Sequence, residues 1–188
     1  MSLFKLIDNS RTDKNTCHSY LPIYEQLLQP KMESAKNILE IGIFKGGSIK
    51  LWNDFFINAD IWAIDIMHTD MVWAEIKDKE RIHLFTSTNA YDPNFIQNEF
   101  IAKGIKFDVI IDDGPHTLES MKDFIRLYVN LLTDDGILIV EDLKSIDWIH
   151  SLRKEVPENL LPHIITHDLR KNKKRHDDIL FIINKGSK

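Results

Sequence analysis

Short apolar runs alternate with helical patterns along almost the whole of this 188-residue chain. The runs are rich in isoleucine, leucine and valine, which is typical of buried strands. Strands that alternate with helices predict an α/β fold with a doubly wound, mostly parallel seven-stranded sheet and helices on both faces. The predicted strands are Ile38–Ile41, Asp60–Ile66, Arg81–Phe85, Lys106–Ile111, Gly136–Val140, His163–His167 and Ile179–Ile183.

Between these strands, apolar side chains recur at the spacing of one helix face. This spacing predicts helices over Ser48–Phe56, Pro93–Lys103, Thr117–Leu132 and Ser145–Arg153, with a turn at Asp134–Gly136. A further helical pattern, from Tyr20 to Leu28, lies in a segment that we expect to cover the sheet or its ligand edge. The length suits one domain with a sizeable core. We therefore expect a single domain, residues 1–188, with residues 1–35 as an N-terminal helical cover.

Acidic residues and a histidine follow two of the predicted strands. Asp112, Asp113 and His116 come directly after the fourth strand, and Glu141-Asp142 follows the fifth. Open α/β sheets bind their ligands at the carboxyl ends of the strands, where such side chains can supply acid, base or metal-ligand chemistry. The same residues also fit simpler roles, since Asp, Gly and Pro form turns and helix caps. For Asp112 in particular, the sequence fits a helix cap or turn as well as it fits a residue that supports the loop or contacts the cofactor.

A glycine-containing loop follows the first strand, and it departs from the dinucleotide fingerprint. Glu40, Gly42, Gly46 and Ser48 form an E-x-G-x-x-x-G loop that leads into a helix, in place of the G-x-G-x-x-G of dinucleotide sites. This loop resembles that of class I S-adenosylmethionine-dependent methyltransferases. An acidic residue near it suits a cofactor that carries a sulfonium and an ammonium but no phosphate.

Two further positions complete the expected cofactor site. Asp65 ends the second strand, 23 residues after Gly42, and a carboxylate there can accept hydrogen bonds from both ribose hydroxyls. Ser87 and Asn89, after the third strand, are positioned to meet the adenine, although a plain polar turn is equally compatible. The cofactor-binding prediction thus comprises Glu40, Gly42, Gly46, Ser48, Asp65, Ser87, Asn89 and Asp112.

A narrower resemblance comes from motifs spread over nearly the whole chain. They are Thr12-Asp-Lys14, His18-x-Tyr20, Tyr24-Glu25, Ile111-Asp-Asp-Gly-Pro-His116 and Val140-Glu-Asp-Leu143. These motifs are similar to those of the macrocin- and mycinamicin-type sugar O-methyltransferases. Arg11 and Pro115 stand where that family usually has Gly and Ser. The resemblance implies a divalent cation, usually Mg²⁺, held by Asp113 and Asp142, with His116 as the general base that deprotonates a hydroxyl of a sugar or small glycoconjugate.

Three other functions stay open at the level of sequence. The acceptor can instead be a non-sugar molecule such as a catechol, the chain can be a nucleotide-binding α/β enzyme of different chemistry, or it can be a non-catalytic cofactor-binding module. The candidate site residues also have purely structural interpretations. His116 can simply stand at the entry to a helix, and Glu141-Asp142 can be solvated residues at the end of a strand.

The net charge and the cysteine content limit which partners and which cellular environment we expect. A net charge of −5 and an isoelectric point near 5.9 give no reason to expect binding to nucleic acid or to an anionic membrane. Cys17 is alone and the N-terminus lacks a signal-peptide pattern, so we expect a reducing, cytoplasmic environment. The expected partner is a small-molecule or glycan acceptor, and the N-terminal segment is compatible with a homo-oligomer contact.

Overall fold

A computed structural model describes residues 1–187 and contains a seven-stranded sheet, as the alternating pattern predicts. The strands are β1 Asn37–Ile41, β2 Asp60–Ile64, β3 Ile82–Phe85, β4 Phe107–Asp112, β5 Leu132–Val140, β6 Ile164–Asp168 and β7 Ile179–Asn184. Their order across the sheet is β3-β2-β1-β4-β5-β7-β6. The sheet is mixed: β3, β2, β1, β4 and β5 pair in parallel, and β7 is antiparallel to both of its neighbours.

Eight α-helices occur in residues 1–187, and several are only one turn long. They are α1 Leu3–Leu6, α2 Leu21–Leu28, α3 Gly47–Phe55, α4 Ala74–Lys77, α5 Pro93–Ile96, α6 Leu118–Tyr128, α7 Trp148–Arg153 and α8 Arg170–Lys173. Short 3₁₀ turns lie at Gln29–Lys31, Thr69–Met71, Val129–Leu131 and Glu158–His163, and a π-helical turn, Gln97–Ile101, continues α5.

Consecutive residues of the inner strands enter two different hydrophobic clusters. Ile38 belongs to a cluster that includes Trp52 of α3, whereas Leu39 belongs to one that includes Phe124 of α6. Successive side chains of a strand point to opposite faces of the sheet, so the two clusters lie on its two faces. Full burial of one such side chain stabilises the fold by about 1.5–3 kcal/mol.

The N-terminal segment, residues 1–35, packs in the same cluster as α3. Leu3, Tyr20 and Tyr24 are fully buried there. Its chain also passes very close to the start of α3, because a Cβ added at Gly47 would lie 2.5 Å from the backbone carbonyl carbon of Arg11. Residues of the segment therefore pack on the same face of the sheet as α3. Among residues 1–187, no helix has the length and apolar character that crossing a membrane requires.

Several element boundaries differ from the sequence-based predictions. The predicted turn at Asp134–Gly136 is wrong, because β5 already begins at Leu132 and passes through it. The register against β4 shifts between Phe107 and Val109, so the strand absorbs the turn-forming residues as an irregularity.

The helix boundaries differ as well. The helix predicted to reach Leu132 ends at Tyr128 and is followed by a 3₁₀ turn. The segment from Pro93 divides into an α and a π turn, and α7 begins only at Trp148. Helix ends depend on local hydrogen bonds that a periodic pattern does not specify.

Candidate active site

The register of the parallel strands brings four chain segments to the same edge of the sheet. Ile41 pairs with both Ile64 and Asp112, and Asp112 pairs with Val140, so β1, β2, β4 and β5 end at one level. The residues that follow these partners at that edge are Gly42, Asp65, Asp113 and Glu141. This alignment is why side chains far apart in sequence meet at the carboxyl edge.

The glycine loop between β1 and α3 is held tightly against its neighbours. Gly42 has a φ of +100°, and a Cβ there would lie 2.3 Å from the carbonyl oxygen of Asp113. Asp65 accepts hydrogen bonds at Oδ2 from the backbone N–H groups of Ile43 (2.7 Å) and Phe44 (3.3 Å). Gly46, at φ +77°, is the N-terminal cap of α3. The carboxylate that the sequence assigns to the cofactor therefore also shapes the loop.

Left-handed backbone conformations cluster at this edge. In the described part of the chain, five non-glycine residues have positive φ, and four of them lie in loops after β1, β3, β4 and β5. These four are Phe44, Ser87, His116 and Asp142. Such conformations cost of order 1–3 kcal/mol each and concentrate at ligand-binding and catalytic sites. The unfavourable backbone conformations of non-glycine residues therefore concentrate at the carboxyl edge of the sheet.

Asp113, His116 and Asp142 converge in this region. The Nε2 atom of His116 lies 3.7 Å from Oδ1 of Asp113 and 3.7 Å from Oδ2 of Asp142. Each side chain is partly accessible, with exposed fractions of 27% for Asp113, 29% for His116 and 14% for Asp142. Burial, followed by the nearby Asp113 carboxylate, raises the pKa of Asp142 to about 6. Like charges disfavour ionisation of each other, which is why the Asp113 carboxylate contributes to the raised pKa of Asp142.

The Nδ1 atom of His116 is buried and has no hydrogen-bond partner among the described residues. Ligand atoms of Asp113, His116 and Asp142 lie within 4.8 Å of one another. Two carboxylate oxygens at this spacing form a donor set of the hard, oxygen type that Mg²⁺ prefers. The residues therefore fit a divalent cation.

Lys14 lies beneath this cluster and is fully buried. Its Nζ donates to Oδ2 of Asp113 (2.8 Å) and to both oxygens of Glu141 (2.7 and 2.8 Å), and lies 3.3 Å from Oε1 of Glu40. Burial alone lowers the pKa of Lys14, but Asp113, Glu141 and Glu40 outweigh it and raise that pKa well above its usual range. The ammonium thus stays charged and neutralises part of the acidic cluster. From the sequence, Lys14 was noted only as part of the Thr12-Asp-Lys14 motif, and no contact with the acidic residues was predicted for it.

Two buried tyrosines of the N-terminal segment complete the network. The Tyr20 hydroxyl donates to Oδ1 of Asp142 (2.6 Å), and the Tyr24 hydroxyl donates to Oε1 of Glu141. Burial raises the pKa of both hydroxyls far above the usual range, so they stay protonated donors. The ring of His18 stacks on Tyr20 at 4.7 Å between centroids. In the sequence, these residues stand out only because they belong to the motifs His18-x-Tyr20 and Tyr24-Glu25.

The predicted cofactor residues occupy different environments. Glu40 is fully buried on the face of the sheet where α3 lies, where it contacts Lys14 and accepts a hydrogen bond from the Trp52 indole. Ser48 is buried in the first turn of α3. Ser87 and Asn89 are exposed after β3. The structure therefore brings the glycine loop and Asp65 together but puts Glu40 beneath them, and its contact with the cofactor stays a prediction.

Asp112 lies apart from Asp113 although the two are adjacent in sequence. It is buried and accepts a hydrogen bond from the Tyr91 hydroxyl (2.8 Å). Burial raises the pKa of Asp112 to about 7, with a further contribution from Asp113. Strand alternation directs Asp112 to the opposite face from Ile111. Its predicted contact with the cofactor stays a prediction.

Comparison with characterised proteins gives a consistent set of relatives. The chain is 28% identical over 138 residues to demethylmacrocin O-methyltransferase of Streptomyces fradiae, an alignment that covers 70% of this chain and 33% of that protein. It is 26% identical over 144 residues to 8-demethyl-8-alpha-L-rhamnosyl tetracenomycin-C 2'-O-methyltransferase of Streptomyces olivaceus, covering 73% of this chain and 36% of the relative. The chain thus spans about a third of the length of the curated relatives it matches. No family model matches the chain.

Solved structures resemble the whole fold. The MycE methyltransferase of the mycinamycin biosynthetic pathway, in complex with Mg and SAH, superposes with a TM-score of 0.73 at 21% identity. That superposition covers 99% of this chain and 55% of MycE. An O-methyltransferase from Bacillus cereus in complex with SAH gives a TM-score of 0.60 at 17% identity, covering 85% and 77%. The fold is that of class I S-adenosylmethionine-dependent methyltransferases, and the sequence is similar to the macrocin- and mycinamicin-type sugar O-methyltransferases.

Proposed function

We propose that this chain is an S-adenosylmethionine- and metal-dependent O-methyltransferase that acts on a hydroxyl of a sugar or small glycoconjugate. The observation that carries the proposal is the convergence of Asp113, His116 and Asp142 beside the glycine loop of a methyltransferase fold. A binding module needs no such acid–base cluster, and a nicotinamide enzyme would need a phosphate-binding loop that this chain lacks.

The proposed cofactor site lies between the glycine loop and the ends of β2 and β3. Gly42 and Gly46 allow the backbone to approach the cofactor closely, and Ser48 lies in the first turn of the helix behind them. Asp65 accepts the N–H groups of Ile43 and Phe44 at Oδ2 and that of Met67 at Oδ1, so one lone pair on Oδ1 is left to accept a ribose hydroxyl. Ser87 and Asn89, in the loop after β3, are the proposed adenine contacts. Glu40 and Asp112 support the site from the two faces of the sheet.

Asp113 and Asp142 are the proposed ligands of a divalent cation, Mg²⁺ in the first instance. A second acidic group, formed by His18, Asp142 and Asp177, is less suitable. There the Arg175 guanidinium already binds both oxygens of Asp177 at 2.9 and 2.8 Å. A cation bound at Asp113 and Asp142 would lower the pKa of a coordinated hydroxyl and orient it.

In the proposed reaction, His116 removes the proton from the acceptor hydroxyl. Its Nε2 lies 3.7 Å from one oxygen of each proposed metal ligand, which would put the base beside a hydroxyl held by the cation. A bound S-adenosylmethionine would supply the methyl group: the hydroxyl oxygen would take the methyl carbon as the carbon–sulfur bond broke, with its electron pair left on sulfur. The products are S-adenosylhomocysteine and the methyl ether, and the proton is on His116. Because the sulfonium is already a strong methyl donor, the protein mainly positions the two reactants and removes the proton.

The acceptor is proposed from the relatives. The tetracenomycin enzyme is named for a rhamnosyl substrate and L-olivosyl-oleandolide 3-O-methyltransferase for an olivosyl substrate, and a MycE structure is in complex with mycinamycin VI. A hydroxyl of a sugar on a small molecule is therefore the acceptor to test first, and a catechol is the competing class. We further propose that residues 1–188 act as one methyltransferase domain, covered by residues 1–35, in the cytoplasm. Nucleic acid and membranes are not expected partners, and the oligomeric state is to be measured.

Calorimetry with S-adenosylhomocysteine tests the cofactor. We expect binding of S-adenosylhomocysteine but not of NAD, and the absence of binding at millimolar ligand would remove the methyltransferase proposal. Turnover is then measured as S-adenosylhomocysteine release with glycoside and catechol acceptors. His116→Gln should bind S-adenosylhomocysteine normally and lose about 10²–10⁴-fold in turnover. His150→Gln is the matched control, since His150 is an exposed residue of α7.

A further inference from the structure

The N-terminal segment contacts both candidate metal ligands, and it holds one oxygen of each. Lys14 donates to Oδ2 of Asp113, and Tyr20 donates to Oδ1 of Asp142. The remaining oxygens, Oδ1 of Asp113 and Oδ2 of Asp142, are the two that lie 3.7 Å from Nε2 of His116. Each carboxylate therefore has one oxygen held by the N-terminal segment and one turned toward the proposed base.

Tyr20 holds the backbone of Asp142 as well as its side chain. The Tyr20 hydroxyl oxygen accepts the Asp142 N–H at 3.2 Å while its proton goes to Oδ1 at 2.6 Å. Asp142 has a left-handed φ of +58°, which a side-chain-bearing residue adopts only at a cost. One phenol, itself fully buried, thus stabilises both the unusual backbone conformation and the rotamer of this ligand.

Glu141 is held in a different way, although it is adjacent to Asp142. Both of its oxygens contact the Lys14 ammonium, and Oε1 also receives the Tyr24 hydroxyl. Its oxygens are thus taken up by donors within the N-terminal segment. Glu141 is fully buried with Lys14, whereas Asp113 and Asp142 are partly accessible.

We propose that Lys14 and Tyr20 are positioning residues that orient Asp113 and Asp142, so that each offers one oxygen to a divalent cation while Glu141 offers none. This inference rests on the proposed metal-dependent function. Mg²⁺ demands near-ideal octahedral geometry, so fixed ligand oxygens favour it over a looser arrangement. Loss of an outer-shell partner of a metal ligand typically costs about 10–100-fold in metal affinity.

The two tyrosines provide a matched test. Tyr20→Phe removes the hydroxyl that donates to Asp142, a proposed metal ligand. Tyr24→Phe removes an equally buried hydroxyl that donates to Glu141, which is not a proposed metal ligand. Mg²⁺ affinity is measured by calorimetry on the cofactor-free protein, and thermal unfolding is measured in chelator. We expect Tyr20→Phe to weaken Mg²⁺ binding by about 10–100-fold, and Tyr24→Phe to leave it unchanged. Both variants should lower the melting temperature, because each removes a short hydrogen bond from a buried tyrosine to a carboxylate of the network.

Equal losses of Mg²⁺ affinity in the two variants, or no loss in Tyr20→Phe, would overturn the inference. Lys14→Arg is a second variant that keeps the charge but moves the donors at Asp113, and we expect it to weaken Mg²⁺ binding as well. It keeps the inference testable if Tyr20→Phe folds poorly, and unchanged affinity in Lys14→Arg would count against it. If the wild-type protein itself binds no Mg²⁺, the metal part of the proposed function fails, and that result is distinct from a difference between variants.

Discussion

Replacing Lys14 by Met tests whether its ammonium holds the acidic network together. Methionine is a similarly long side chain, so the change removes mainly the charge and the hydrogen-bond donors. The Lys14 nitrogen is fully buried and lies between 2.7 and 3.3 Å from oxygens of Glu141, Asp113 and Glu40. Removing one partner of a buried ion pair costs about 3–5 kcal/mol, because the other charge is left uncompensated. Since a domain is typically stable by about 5–15 kcal/mol, we expect a large loss.

The loss from Lys14→Met should depend on pH in a defined direction. Burial raises the pKa of Glu141 well above its usual range in the folded protein, and Lys14 is the group that opposes this rise. Without Lys14, the folded-state pKa of Glu141 rises further. A raised folded pKa contributes stability below the unfolded value near 4.5, and that contribution is lost as pH rises through the folded pKa. The difference between wild type and variant should therefore be larger at pH 8 than at pH 5.

Urea unfolding at pH 5 and pH 8 measures both parts of this prediction. Lys31→Met is the control, because Lys31 is nearly buried but its partner Asp135, at 2.9 Å, is 70% exposed. A pair of that kind is worth about 0–1 kcal/mol. If Lys14→Met costs no more than Lys31→Met, or if its cost does not change with pH, the network is not held by the ammonium and the reasoning is refuted.

Three other perturbations follow from the same geometry. Gly42→Ala should weaken S-adenosylhomocysteine binding at least tenfold in calorimetry, because its Cβ would lie 2.3 Å from the Asp113 carbonyl oxygen at a φ of +100°; unchanged affinity would place the loop outside the cofactor site. Asp113→Asn should abolish measurable Mg²⁺ binding while S-adenosylhomocysteine still binds, and retained Mg²⁺ binding would contradict its role as a ligand. Asp112→Asn should stabilise the fold at pH 8 relative to wild type, by at most about 4 kcal/mol, and much less at pH 5. The reason is that the pKa of Asp112, about 7 when folded, makes its ionised form costly above that pH; a pH-independent difference in unfolding free energy would contradict it.

Much of the architecture is predictable from local patterns. Each strand is recognisable because a buried strand needs a short run of branched apolar residues, and all seven predicted runs correspond to strands in the sheet. The parallel βαβ pattern also predicts that Asp113, His116 and Asp142 come near one another, since strand carboxyl ends share one edge. The exceptions are local: Asp134–Gly136 has turn chemistry, yet β5 runs through it, and its pairing with β4 is interrupted between Leu132 and Ile137.

Tertiary structure alone decided which partners these side chains have. Lys14 meets Asp113 across 99 residues, Tyr20 meets Asp142 across 122, and Tyr24 meets Glu141 across 117. No periodicity encodes such contacts, because they depend on how the N-terminal segment packs against the sheet. The chain by itself determined which chemical groups stand at the strand ends. The packing of a distant segment decided which oxygen of each carboxylate is held and which is free, since buried charges and hydroxyls must be paired wherever the fold puts them.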